Sequence, residues 1–268
     1  MKHAHFPTNS KGKDYIVGDI HGCCNELFAT LKKIHFNFTN DRLFSVGDLI
    51  DRGPQSYECA NLIYQPWFFA VRGNHEQLMI DSIIKGSPAH IACWMQNGGL
   101  WSASETKWEL TDLSNSFSNL PLVISVGDGA DRFNIVHAEF IAPGKLFTDQ
   151  MIDEWDVDAD TEHNMLWGRN IIDAHYTGNT HNYHSDALST TYVGHSIIPY
   201  SPIQIQKQIY IDTGCVNSII RSQLQPERHT LTIVCPTDQV YYTFTLPFRT
   251  VAKNKYARIL QHNPVAIN

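Results

Sequence analysis

Three stretches decide the fold: Tyr15-Ile16-Val17-Gly18-Asp19-Ile20-His21-Gly22, Leu43-Phe44-Ser45-Val46-Gly47-Asp48-Leu49-Ile50-Asp51-Arg52-Gly53 and Trp67-Phe68-Phe69-Ala70-Val71-Arg72-Gly73-Asn74-His75-Glu76. Each is an apolar, strand-like run that closes on residue types able to bind a metal. Asp19 to Asp48 is 29 positions and Asp48 to Asn74 is 26, about the length of one βαβ unit. Parallel strands joined by right-handed crossovers bring their carboxyl ends to one edge of a sheet. Asp19, His21, Asp48, Asn74 and His75 should therefore converge there. Oxygen and imidazole donors gathered in this way describe a metal site.

Working outward, residues 23–36 carry Leu27, Leu31 and Ile34 at helical spacing and predict the first crossover helix. Residues 55–64 open after Gly53-Pro54 and suit the second. Residues 75–85 read as a third helix, stopped by Gly86 and Pro88; 89–97 and 100–110 read as two more, parted by Gly98-Gly99. From Pro121 the texture turns to short β-rich runs at 122–126, 133–136, 190–193, 208–211, 231–234 and 240–246. Pro236-Thr237-Asp238-Gln239 predicts a hairpin turn between the last two. Parallel units followed by a mainly antiparallel half suggest two packed sheets with helices outside.

The chain has 268 residues, 43% of them hydrophobic, enough for one large α/β domain. The N-terminus lacks the apolar core of a signal peptide, and no run approaches the ~18 apolar residues of a membrane span. Six cysteines without a Cys-x-x-Cys pair fit a reducing, cytoplasmic setting. A net charge of −7 argues against nucleic acid as a partner.

Two later pieces, Val136-His137-Ala138 and Gly194-His195-Ser196, complete a pattern that resembles the phosphoprotein-phosphatase branch of the calcineurin-like metallophosphoesterases. The phage-lambda-type serine/threonine phosphatases and their bacterial relatives are the nearest group. That likeness adds Asn97-Gly98-Gly99 with Trp101, Trp167-Gly168-Arg169 and Tyr210-Ile211-Asp212-Thr213-Gly214, and it covers residues 14–246, thinning between 140 and 186. The resemblance implies an α/β fold of αββα type: two mixed sheets flanked by helices in a single domain over residues 1–248, with 249–268 a basic C-terminal tail.

It also implies a dinuclear site. One divalent ion would take Asp19, His21 and Asp48; the other would take Asp48, Asn74, His137 and His195, with Asp48 bridging. A mixed nitrogen and oxygen donor set suits Mn²⁺, with Fe or Zn²⁺ as alternatives. The paired cations would acidify a bridging water for in-line attack on a phosphomonoester. His75, beside a ligand, is the candidate general acid and Asp51 its orienting partner. Arg52, Arg72 and Arg169 are candidate clamps on the phosphoryl oxygens. The implied substrate is a phosphorylated protein or small phosphoester. A symmetrical dinucleoside tetraphosphate hydrolase and a non-catalytic scaffold of the same fold are the rival readings. Val136-His137-Ala138-Glu139 departs from the His-Gly-Gly of eukaryotic relatives, so their regulatory subunits are not carried over.

Three stretches lie outside this pattern. Asp149, Asp153, Glu154, Asp156, Asp158, Asp160 and Glu162 form an acidic cluster, read as a solvated loop rather than an extra cation site. His163, His175, His181 and His184 follow in a polar stretch, read as a surface loop with a lid over the site as the alternative. The basic tail predicts a packed surface helix.

Overall fold

The computed structural model describes residues 2–179, 181–220, 229–245 and 249–255. In chain order the elements are β1 (His3–Phe6), β2 (Asp14–Val17), α1 (Cys24–Lys33), β3 (Arg42–Ser45), α2 (Ser56–Ala60), β4 (Phe68–Ala70), α3 (Asn74–Ile80), α4 (Pro88–Gln96) and α5 (Lys107–Ser118). There follow β5 (Val123–Val126), β6 (Phe133–Val136), α6 (Asp149–Asp153), α7 (Ala159–Trp167), α8 (Asn170–Tyr176), β7 (Thr190–Val193), β8 (Ile203–Ile205), β9 (Gln208–Tyr210), α9 (Cys215–Ile220), β10 (Leu231–Cys235), β11 (Val240–Thr245) and β12 (Arg249–Lys255).

Two mixed six-stranded sheets result, ordered β1-β5-β6-β7-β9-β8 and β12-β11-β10-β2-β3-β4. Side-chain alternation along each strand divides the core into three layers. Ile16, Phe44, Ile124, Ile135, Tyr192 and Val234 meet between the sheets. Their neighbours Tyr15, Val17, Leu43 and Ile233 face outward under α1, where Leu27 and Leu31 cover them. Val123 and Val136 turn to the opposite outer face, against Met151, Met165 and Ile172 of α6, α7 and α8. This is the expected αββα arrangement of two mixed sheets with helices outside. No helix among the described residues is long and apolar enough to cross a membrane.

Register fixes the site. Val17 is level with Ser45, and Ser45 with Ala70, in parallel pairs. In the other sheet Ile135 is level with Tyr192, again in parallel. The loops holding Asp19, Asp48, Asn74, His137 and His195 therefore leave five strands at one edge.

Several local expectations are corrected. Residues 100–110 are not one helix: Gly99–Ser104 forms a 3₁₀ turn, and α5 begins afresh after Thr106. There the Thr106 hydroxyl accepts the Glu109 N–H while the Glu109 carboxylate accepts the Thr106 N–H, a reciprocal cap. The acidic cluster is not a single loop: Asp149, Asp153, Asp160 and Glu162 lie on α6 and α7, while Glu154, Asp156 and Asp158 fall in the loop between them. Asp149 and Asp153 lie on α6 and engage Arg132 and Ser189, Glu162 pairs with Lys2, and Asp158 caps α7. Their counter-charges come from elsewhere in the chain, which a count of nearby basic residues cannot see. The polar histidine stretch is helical only in part: His163 lies on α7 and His175 on α8, with Met165 and Ile172 in the core, while His181 and His184 follow outside any helix, His184 buried on the Phe140 carbonyl. The tail begins as a strand, β12, antiparallel to β11; the helix expected there does not form over residues 249–255, and residues 256–268 lie outside the described set.

Candidate metal centre

Asp48 sits where β3 has ended and the backbone turns. Its φ is +50°, and His21, Asp51, Arg52 and His195 share the left-handed region. Non-glycine residues seldom hold this conformation, and where they do the surrounding structure must enforce it. Here backbone bonds do so: the N–H groups of Ile20 and His21 donate to the Asp48 carbonyl, and Gly22 N–H donates to Leu49. Gly47, at φ +95°, packs so close that a Cβ there would stand 2.7 Å from the Gly73 nitrogen and 3.1 Å from His137 Nδ1. Only glycine lets the β3 and β4 loops approach in this way.

Two buried triads come together, each with donor atoms within 4.8 Å of one another: His21, Asp48 and His75, and Asp48, His137 and His195. Asp48 belongs to both. Asn74 joins the second group, with Oδ1 at 2.7 Å from His137 Nε2 and 3.0 Å from His195 Nδ1. Asp19 stands alongside, in neither triad. Its carboxylate accepts the His195 backbone N–H and lies against Asp212. Burial, Asp212 and Asp48 push Asp19 well above the ordinary carboxylate range, and Asp212 is raised to about 6. These two acids crowd each other in a way that added positive charge would relieve.

The imidazoles are arranged as donors to a cation. His21 Nδ1 lies 2.8 Å from the Ile50 carbonyl and His137 Nδ1 lies 2.8 Å from the Val46 carbonyl. A carbonyl can only accept, so each Nδ1 carries the hydrogen and each Nε2 turns a lone pair inward. Burial holds His21 down to about 3 and His195 down to about 2, which keeps them neutral. Burial alone would raise Asp48, yet it is held below the ordinary carboxylate range, by the charge of neighbouring imidazoles, among which His75 is the one whose own pKa is raised, and by the His75 backbone N–H. Imidazoles, an amide oxygen and a shared carboxylate are a donor set consistent with a dinuclear site for divalent ions.

His75 is placed differently from the other rings. Its Nδ1 is 2.7 Å from Asp51 Oδ2, and its Nε2 looks toward Asp48 Oδ2 at 3.9 Å. Asp51 is fully buried and gripped twice more, by the indole N–H of Trp101 at 2.7 Å and of Trp94 at 3.1 Å. Burial would lower His75, yet Asp48 and Asp51 raise it.

The arginines differ. Arg52 donates to His21 Nε2 at 2.9 Å, at the mouth of the site. Arg169, in the stretch where the resemblance thins, reaches the Ser196 hydroxyl and the His195 carbonyl, both at 3.1 Å. Arg72 has a buried Nε with no hydrogen-bond partner among the described residues; burial pulls its guanidinium down, against Glu162, Asp81 and Glu76.

Glu76 was legible only as part of a motif. It is fully buried, and its carboxylate accepts the N–H groups of Gly73, Asp48 and Leu49 at 2.8–2.9 Å. It thus ties the β4 loop to the β3 loop. Burial and Asp48 push it up to about 7, while the N–H bonds pull the other way. Glu76→Gln would set an amide NH₂ against N–H donors. Metal affinity should fall about 10–100-fold, as for other groups that orient ligands. Calorimetric titration checks this; unchanged affinity would mean the loops are held by other contacts. Trp94 had no sequence signal at all, because nothing marks an indole as the partner of a carboxylate 43 positions away.

Comparison with known proteins agrees with this geometry. Residues 15–197 match the family model for calcineurin-like phosphoesterases. Serine/threonine-protein phosphatase 2 of Salmonella typhimurium is 34% identical over 203 residues, 75% of this chain and 86% of that protein. A symmetrical bis(5'-nucleosyl)-tetraphosphatase of Actinobacillus pleuropneumoniae is 34% identical over 115 residues, 41% of this chain and 39% of that protein. Among solved structures, a serine/threonine phosphatase from Saccharomyces cerevisiae superposes with a TM-score of 0.58 at 18% identity, covering 87% of this chain and 76% of that one. With the strand-end site and this likeness in hand, the chain belongs to the calcineurin-like phosphoesterases, related to the bacterial serine/threonine protein phosphatases.

Proposed function

We propose that this protein is a phosphomonoesterase that removes phosphate from phosphoserine and phosphothreonine, using two divalent ions with Mn²⁺ preferred. The observation that carries the reading is Asp48 shared between two buried triads. One carboxylate can give an oxygen to each of two ions about 3.5–4 Å apart. Asp19, His21 and Asp48 would hold one ion, and Asp48, Asn74, His137 and His195 the other. When bound, the pair would supply an acidified water and neutralise charge on the phosphoryl group.

The chain's own residues would do the rest. Once the His21 lone pair is given to an ion, the Arg52 guanidinium is free to donate to phosphoryl oxygens. Arg169 is held on the His195–Ser196 turn to meet them from the other side. His75 keeps its Nδ1 hydrogen on Asp51 and turns Nε2 to the reacting edge, the geometry of a general acid for the leaving oxygen. Arg72 is the weakest of the three clamps, since acidic neighbours surround it.

The longer likeness, over 75% of the chain against 41%, is to the protein phosphatase rather than the tetraphosphatase. The test is a parallel panel of a phosphoserine peptide, diadenosine tetraphosphate and a cyclic nucleotide with Mn²⁺-loaded protein. The peptide should have the highest kcat/KM. Preference for the tetraphosphate would replace this substrate assignment, and no turnover of any would favour a scaffold.

A further inference from the structure

Glu139 is the first carboxylate after His137, and nothing in the proposed chemistry uses it. It is fully buried. Burying a carboxylate is costly unless donors fill its oxygens, and here they do. Ile171 N–H donates to both oxygens, at 3.1 and 3.0 Å, Ile172 N–H to Oε1 at 3.0 Å, and the Tyr210 hydroxyl to Oε1 at 2.9 Å. One side chain thus joins the loop after β6, the first turn of α8 and strand β9.

Arg169 stands immediately before α8. It is exposed, and its guanidinium donates to the Ser196 hydroxyl and the His195 carbonyl, both at 3.1 Å. Both acceptors are neutral, so its charge is left for an anion. A free arginine side chain has many rotamers, and where it offers that charge depends on where its backbone is held.

The backbone on either side of Arg169 is held by the same short loop. Before it, the end of α7 docks there, with Ala138 N–H on the Met165 carbonyl at 2.8 Å and Glu139 N–H on the Asn164 carbonyl at 3.1 Å. A Cβ at Gly168 would stand 3.1 Å from the Glu139 Cβ, so this turn lies against Glu139 itself. After Arg169, the Glu139 carboxylate takes the N–H groups of Ile171 and Ile172. Ile172 also packs in the core with Phe140 and Tyr210, which keeps α8 on its sheet. Apolar burial has no direction, however, and only the hydrogen bonds set the orientation of the turn.

We propose that Glu139 is a positioning residue for the phosphate clamp: by tying the first turn of α8 to the loop of His137, it holds Arg169 where the guanidinium meets a phosphoryl oxygen. The inference rests on the reading of Arg169 as such a clamp.

The experiment measures binding of inorganic phosphate to the Mn²⁺-loaded protein by calorimetry, with bound metal counted in the same samples. Arg169→Ala should weaken binding about 10–100-fold, the usual worth of a charged hydrogen bond. Glu139→Ala, which removes every acceptor, should weaken it about 10-fold with both ions retained, as loss of a supporting group does. Glu139→Gln keeps one oxygen and should lose less, and it carries the test if the alanine variant does not fold. The deciding readout is the double-mutant cycle. In the Arg169→Ala background, either change at Glu139 should cost almost nothing more. The proposal is overturned if the Glu139 loss is the same with and without Arg169, as for a merely structural carboxylate. It also falls if the Glu139 variants lose metal, which would mean an action through His137, or if phosphate binding does not depend on Arg169. Preference for another ester in the substrate panel would replace the substrate assignment and leave this cycle unchanged.

Discussion

Asp48→Asn is expected to lower phosphatase turnover by roughly 10³-fold or more. Both triads contain this carboxylate, so its charge would act on both ions of a dinuclear site. Several kcal/mol of transition-state stabilisation would depend on them, and each 1.36 kcal/mol is tenfold in rate. Asparagine keeps one oxygen, and with it an acceptor for the His75 backbone N–H now bonded at 3.0 Å. The loop should therefore hold its shape while the charge is lost. Elemental analysis should show both ions depleted, whereas His21→Asn should deplete one more than the other. Finding both ions at full occupancy in the Asp48→Asn protein would contradict the bridging role.

His75→Asn should separate substrates by how much their leaving oxygen needs a proton. Serine alkoxide is a poor leaving group, while p-nitrophenolate departs readily as the anion. General-acid catalysis contributes about 10²–10⁴-fold. The loss in kcat should approach that range on a phosphoserine peptide and be far smaller on p-nitrophenyl phosphate, with both metals retained. Geometry supports the assignment. Three N–H donors, from His75, Trp94 and Trp101, fix Asp51 in place, and Asp51 fixes the ring. Equal losses on the two substrates at full metal occupancy would instead make His75 a positioning group for phosphate.

The half of the fold that builds this site was legible because its signals are local. Apolar runs ending in glycine and a metal-binding residue recur at βαβ spacing, and that spacing dictates which loops share an edge. β1 and β12 were not legible. β1 carries two histidines and gains its place only by parallel pairing with β5, 120 positions away in register from His3 to Val123. In β12 the basic residues drew attention, but pairing with β11 decided the conformation. At the site, ligand types were readable, and their supports less so. Glu76 and Trp101 stood inside quoted motifs without a role, because a buried carboxylate tying loops together looks in sequence like any helix-starting glutamate. Asp212, beside Asp19, was likewise visible only as part of a run. Long-range hydrogen bonds leave no periodicity, so such partners emerge only from the folded chain.

Hydrolysis on two ions held through Asp48 is a matter of metal stoichiometry. Its most direct test follows phosphoserine-peptide turnover during stepwise Mn²⁺ addition to metal-stripped protein, with bound metal counted in the same samples. No turnover is expected without metal, and recovery should reach its maximum when two ions are bound per chain. Full turnover in the stripped protein, or a maximum at one ion per chain, would contradict it.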